Sequence, residues 1–182
     1  MTEDLHIKRK LVLIGPPSVG KTSLIRKYVL DVFSDNYITT IGTKITRKRL
    51  QFNLPDNSSK VDLMMLIWDI MGQNSDSLRP LSAFHGSKGA IFVCDLTRKE
   101  TIANLSKLTK ELLKITPNIS LIFVGNKIDL IDQIEIEKSE LEEISKIFHS
   151  KVFLTSAKTG ENVELVFEDL GRQMLKKQGI LV

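Results

Sequence analysis

Gly15-Pro16-Pro17-Ser18-Val19-Gly20-Lys21-Thr22 sets two glycines, a lysine and a hydroxyl side chain at the spacing G-x-x-x-x-G-K-[ST], directly after the apolar run Leu11-Val12-Leu13-Ile14. The chemistry this spacing suits is phosphate binding. Gly15 and Gly20 allow the backbone to wrap a phosphate chain so that successive N–H groups, with Ser18, Val19, Gly20, Lys21, Thr22 and Ser23 as the candidate contacts, point inward at the positive end of the helix that follows. Lys21 would neutralise the outer phosphates, and the Thr22 hydroxyl would take one place on a Mg²⁺ that also binds phosphate oxygens.

Further along, Asp69-Ile70-Met71-Gly72-Gln73 follows a hydrophobic run that ends at Trp68. An aspartate at the end of such a strand can hold the Mg²⁺ opposite Thr22. Gly72 can bring its N–H against a terminal phosphate, and Gln73, with one donor and one acceptor, can orient an attacking water. Asn126-Lys127-Ile128-Asp129 comes after the apolar run Leu121 to Val124. The Asp129 carboxylate can accept two hydrogen bonds from the N1–H and amino group of guanine, a pair that adenine does not offer. Asn126 can tie this loop to the phosphate loop, and the stem of Lys127 can lie over the purine. Thr155-Ser156-Ala157-Lys158 then supplies a backbone N–H, that of Ala157 first, for the guanine carbonyl oxygen.

These residues need elements to position them. Apolar period and turn residues predict a strand at 11–15, a helix at 20–31, and two extended stretches, around Leu50-Phe52-Leu54 and over 61–69, that pair as a hairpin. An alternation follows: strand 90–95, helix 100–115, strand 121–125, helix 138–148, strand 152–155, helix 162–177. The runs Ile91-Phe92-Val93 and Leu121-Ile122-Phe123-Val124 have no polar face, as expected of parallel strands covered by helices on both sides. The expectation is an α/β doubly wound domain with one antiparallel edge, its loops after Ile14, Trp68, Val124 and Leu154 converging at the carboxyl ends of the strands. In the last helix Val163, Val166, Phe167, Leu170, Met174 and Leu175 share one stripe, which predicts core contacts.

Composition agrees with one globular domain. The chain has 182 residues, 42% hydrophobic and 26% charged. Its apolar runs are too short to span a bilayer, and the N-terminus has no signal pattern, so the expected location is cytoplasmic. Cys94, the single cysteine, lies in an apolar strand and reads as buried. The net charge of +4 includes Lys8-Arg9-Lys10 and Arg47-Lys48-Arg49. These clusters can attract nucleic acid or an acidic membrane, but solvated strand faces and a protected edge account for them better.

Taken in order, these motifs resemble those of the Ras-superfamily small GTPases, closest in style to the Rab and Ras branches, over Lys10 to about Lys177. The resemblance implies a single P-loop NTPase domain of the G-domain type spanning 1–182, with its core at about 8–177 and a mostly parallel six-stranded sheet. It implies GTP/GDP and Mg²⁺ as ligands, with Lys21 and Gln73 as the catalytic residues. It also gives meaning to the segment 33–42: Phe33 matches the aromatic that packs against guanine, Tyr37 can cover the phosphates, and Thr40 matches the threonine that joins Thr22 and Asp69 on Mg²⁺ and meets the γ-phosphate. Implied partners are effectors, an exchange factor and a GTPase-activating protein reading loops 33–42 and 70–85. A monomer that binds no nucleic acid is expected.

Three departures from the family pattern stand out. Ile70-Met71 replaces a polar and a small residue before Gly72, and Pro17 takes a position that is often glycine or a small polar residue. Lys176 to Val182 contains no cysteine for prenylation, so no direct lipid anchor is expected. Besides a GTP-hydrolysing switch, two readings stay open: a nucleotide-dependent scaffold that scarcely hydrolyses, and an ATP-dependent phosphate-loop enzyme.

Overall fold

The computed structural model describes residues 4–34, 42–55, 59–70 and 81–182. Met71, Gly72, Gln73, Tyr37 and Thr40 lie outside them. The strands are β1 (Leu5–Ile14), β2 (Thr43–Asn53), β3 (Lys60–Ile70), β4 (Ser87–Asp95), β5 (Ser120–Asn126) and β6 (Lys151–Thr155). The α-helices are α1 (Lys21–Leu30), α2 (Leu105–Ile115), α3 (Lys138–Ile147) and α4 (Val163–Lys176).

The described strands form one six-stranded sheet in the order β2-β3-β1-β4-β5-β6. Every pairing is parallel except β2 with β3, the expected hairpin at the edge. Strands with no polar face behave as their composition requires. Ile91, Phe92 and Val93 on β4, and Ile122, Phe123 and Val124 on β5, are inaccessible to solvent. Along β1, Leu11 and Leu13 enter the core under α1 and α4, with Leu24, Tyr28, Phe167 and Leu170. Val12 and Ile14 enter the opposite core with Phe84, Phe92, Leu105, Leu112 and Leu141. Alternate side chains of one strand thus bury on opposite faces, each large apolar group contributing about 1.5–3 kcal/mol.

The stripe on α4 is buried throughout, as its period predicts. Tyr28 of α1 stacks on Phe167 of α4 with ring centroids 4.0 Å apart, so the helix carrying Lys21 is fixed against the last helix.

Where boundaries differ from expectation, backbone pairing outweighs side-chain pattern. β2 begins at Thr43, well before the alternation around Leu50, because its first half is an exposed ladder of Lys44, Ile45, Arg47 and Arg49 against β3. β1 likewise starts at Leu5, where His6 and Lys8 sit on a solvated face. The helix expected from residue 100 starts at Leu105; before it, Lys99–Thr101 forms a 3-10 turn. That turn is fastened by Thr101, whose hydroxyl accepts from the Asp95 N–H at 3.0 Å and donates to the Arg98 carbonyl at 2.7 Å.

The basic clusters divide between a ring contact and a solvated edge. Lys10 Nζ sits 3.6 Å from the Trp68 ring centroid, and Arg47 and Arg49 are exposed on the edge strand, where charge discourages further pairing. Cys94 is buried, and burial foremost pushes its thiol up to about 12, which removes it as a nucleophile at neutral pH. Among the described residues no helix is long and apolar enough to cross a membrane.

Candidate functional site

Register brings the chemistry together. Leu13 of β1 lies beside Asp69 of β3, Asp95 of β4 beside Asn126 of β5, and Asn126 beside Thr155 of β6. The carboxyl ends of five neighbouring strands therefore lie side by side, and with them the loops after Ile14, Val124 and Leu154; the loop expected after Trp68 begins beyond Ile70, outside the described residues.

The phosphate loop is compact at both of its glycines. A Cβ on Gly15 would stand 2.2 Å from the Val93 carbonyl oxygen. At Gly20, φ is +98° and a Cβ would meet Asn126 Nδ2 at 2.2 Å, so neither the conformation nor the space admits a side chain. Gly20 leads into α1, whose first turn has no acidic residue and no side-chain cap. By contrast α3 starts with a capping box between Glu137 and Glu140. An uncapped helix start of this kind, with no acidic residue in its first turn, suits an anion.

Lys21 is 6% exposed, and its Nζ donates to the carbonyls of Gly15 and Pro16, each at 2.8 Å. Burial lowers its pKa to about 8, partly offset by the charge of Asp69. A buried ammonium held by neutral carbonyls is stabilised further by any anion that reaches it. Beside it, the Thr22 hydroxyl donates to Asp69 Oδ2 at 2.6 Å. One hydroxyl and one carboxylate, both hard oxygen donors, are the protein's share of a Mg²⁺ site in which phosphates and water supply the rest.

Asn126, fully buried, is the hub. Its Nδ2 donates to the Val19 carbonyl at 2.9 Å, while its Oδ1 accepts from the Thr155 hydroxyl at 3.1 Å and the Ala157 N–H at 3.2 Å. The expected tie between base loop and phosphate loop is present, and it extends to the third loop. Replacing Asn126 by alanine strands a buried carbonyl, a hydroxyl and an N–H, at about 1–3 kcal/mol each. Asn126→Ala is expected to lower stability by about 3 kcal/mol or more; an unchanged urea midpoint would refute this role.

On the base side, the Ser156 hydroxyl donates to Asp129 Oδ1 at 2.6 Å and itself accepts from the N–H groups of Lys158 and Thr159. Asp129 is held with one oxygen engaged and the other available. Lys127 adopts φ +73°, a left-handed conformation unusual for lysine, and its Nζ pairs with Asp95 Oδ2 at 2.5 Å. Ser18 is also left-handed, at φ +65° in the phosphate loop, and Ser23 is half-buried in the first turn of α1. Phe33 packs half-buried against the core under α1 and α4.

Asp95 was missed by the motif reading. It is 0% exposed, and although burial works to raise its pKa, hydrogen bonds from Lys127, Thr97 and Arg98 outweigh that and hold it below the ordinary value. Like Asp69 it closes an apolar strand, but only the register with Asn126 ties it to Lys127. Ile70, one of the departures from the family pattern, belongs to the sheet. It is the last residue of β3, 3% exposed, packed in the core with Val12, Ile14 and Phe92.

Comparison with known proteins gives the same assignment over nearly the whole chain. The Ras family model matches residues 10–176. Ras-related protein Rab-24 of Dictyostelium discoideum is 31% identical over 174 residues, covering 94% of this chain and 83% of that protein. Ras-related protein Rab-21 of Homo sapiens is 36% identical over 169 residues, covering 92% and 72%, and Ras-related protein Rab-22A of Homo sapiens is 32% identical over 166 residues, covering 91% and 82%. With phosphate loop, Asp69, Asn126-Lys127-Ile128-Asp129 and Ser156-Ala157 gathered at one crevice, the chain belongs to the Ras family of small GTPases, near the Rab branch.

Proposed function

We propose that this GTPase is a GTP/GDP switch with slow intrinsic hydrolysis, working in intracellular trafficking or signalling. The observation that carries the phosphate-binding part is the buried, under-compensated ammonium of Lys21 at the open N-terminus of α1, with Thr22 and Asp69 alongside. Mg²⁺ would be held by Thr22 and Asp69, joined by Thr40, and would neutralise charge on the β- and γ-phosphates. Lys21 shares that work, and Asp129 selects guanine.

Within this reading Gln73 positions the attacking water, and Thr40 and Gly72 report the γ-phosphate. Loss of that group releases both loops, so that effectors, an exchange factor and an activating protein read segments 33–42 and 70–85. The protein acts as a cytoplasmic monomer brought to membranes by partners. Because positioning and electrostatics do most of the work, an arginine supplied by an activating partner adds a factor of about 10⁵, or roughly 7 kcal/mol of barrier.

The test is single-turnover hydrolysis of GTP by nucleotide-exchanged protein, alongside Gln73→Leu. Slow turnover in the parent that falls by about 10²-fold in the variant is expected, the lower end of what a group positioned on the reacting water or proton contributes. Equal rates would favour the nucleotide-dependent scaffold, a reading motivated by Pro17 at the exposed crest of the phosphate loop and Met71 before Gly72.

A further inference from the structure

Arg98 leaves the end of β4 and reaches back across the site. Its Nε donates to Asp95 Oδ2 at 2.9 Å, and one terminal nitrogen donates to the Pro17 carbonyl at 3.0 Å. The same carboxylate oxygen receives Lys127 Nζ, while Asp95 Oδ1 accepts from the Thr97 N–H at 3.0 Å and the Thr97 hydroxyl at 2.7 Å. Glu100 is a more distant third partner, 3.9 Å from the other terminal nitrogen.

This arrangement is a bridge between the two ends of the nucleotide site. Pro17 has no N–H of its own and stands exposed at the crest of the phosphate loop, so its carbonyl is the group through which the crest can be held. Lys127, at the other end, occupies a left-handed conformation that persists only if its surroundings impose it. Asp95 supplies that constraint, and Arg98 couples it to the phosphate loop. The planar fork of arginine is what permits both contacts at once; an ammonium is a point charge that meets one.

We propose that Arg98 is a positioning residue for retention of the nucleoside di- or triphosphate: its guanidinium joins the Pro17 carbonyl to the Asp95–Lys127 pair, latching the crest of the phosphate loop to the loop that holds the base. The inference rests on the proposed guanine-nucleotide site and adds a second, peripheral tie to the buried one made by Asn126. A nucleotide leaves when either end opens. With the latch in place, opening one end strains the other.

The experiment is release of a fluorescent GDP analogue from the full chain, chased with excess unlabelled GDP in EDTA, for the parent, Arg98→Ala, Arg98→Lys, Lys127→Ala and the double variant Arg98→Ala/Lys127→Ala. Arg98→Ala is expected to speed release about 10-fold, the scale of losing a charge-assisted hydrogen bond. Arg98→Lys keeps the charge and the parent's melting temperature, yet releases GDP within about 3-fold of the alanine variant, because it lacks the fork. In the Lys127→Ala background the effect of Arg98→Ala falls below about 2-fold, since the latch then has nothing to hold at the base end.

Parental release rates in Arg98→Ala, or the full acceleration persisting without Lys127, would overturn the latch while leaving the nucleotide site intact. Release by Arg98→Lys at the parent's rate would overturn it too, showing that charge alone suffices. Failure of the parent itself to retain GDP would instead remove the guanine-nucleotide reading and the latch with it.

Discussion

Lys21→Met lowers GDP affinity by about 10³-fold, yet leaves the nucleotide-free protein at least as stable as the parent at pH 7. The first half follows from removing one partner of a buried charge pair, which costs roughly 2–5 kcal/mol. The second half follows from the burial of the ammonium without an anion. The pKa of Lys21 in the folded, ligand-free chain falls from 10.5 to about 8. That shift corresponds to about 3 kcal/mol of destabilisation from holding the charged form in place.

The sign of the pH dependence is fixed by the same shift. Between pH 8 and 10.5 the unfolded chain binds the Lys21 proton and the folded chain has lost it, so this group makes stability rise with pH through that window. Below about 8 both states are protonated and the cost is fully present. The stability advantage of Lys21→Met over the parent should accordingly be largest at pH 7 and shrink towards pH 10. Urea unfolding in EDTA at the two pH values, with calorimetric titration of GDP, reads both halves; a variant that loses stability without nucleotide would show that Lys21 is held by the protein and not reserved for phosphate.

Asp129→Asn weakens GDP binding by about 10⁴-fold and transfers preference to xanthosine diphosphate. A site built to pair with particular hydrogen-bonding groups rejects a mismatched partner by such factors, because buried polar groups are left facing their own kind. The local geometry sets which way the new amide points. Ser156 donates to Asp129 Oδ1 at 2.6 Å, so in the variant the amide oxygen keeps that bond and the NH₂ takes the place of the free carboxylate oxygen. A donor then faces the N1–H and amino group of guanine, whereas xanthine presents an oxygen where guanine carries its amino group. Competition between the two diphosphates measures the exchange. Unchanged selectivity would mean that Asp129 does not meet the base, as an ATP-dependent enzyme would require.

What could be seen in the sequence had a local cause. The phosphate loop is a fixed spacing of residues whose roles depend on one strand and one helix. The strands at Ile91 and Ile122 advertise burial through the absence of any polar face. Asn126 was expected to reach the phosphate loop, and it does so through the Val19 carbonyl. Asp95 was not legible because its role depends on register: only the pairing of Asp95 with Asn126 places its carboxylate beside Lys127. Arg98 was illegible for the same reason, 81 residues from Pro17 along the chain. The length of β2 has no signature in its own side chains, because β3's backbone specifies it while its first half exposes lysine, arginine and threonine. Ile70 departs from the family pattern in sequence, and its side chain completes the core with Val12, Ile14 and Phe92, a role that only the extent of β3 reveals.

The β2–β3 hairpin pairs without interruption from Asn53–Lys60 up to Thr43–Ile70. Thr40 lies only three residues before one end of that final rung, and Gly72 two residues after the other. In the proposed switch, both residues assigned to the terminal phosphate would therefore be tethered to one rung of the hairpin. On that reading a partner that grips both segments would receive a coincidence signal, and a substitution that unpairs Thr43 from Ile70 would disturb both reports together instead of silencing one.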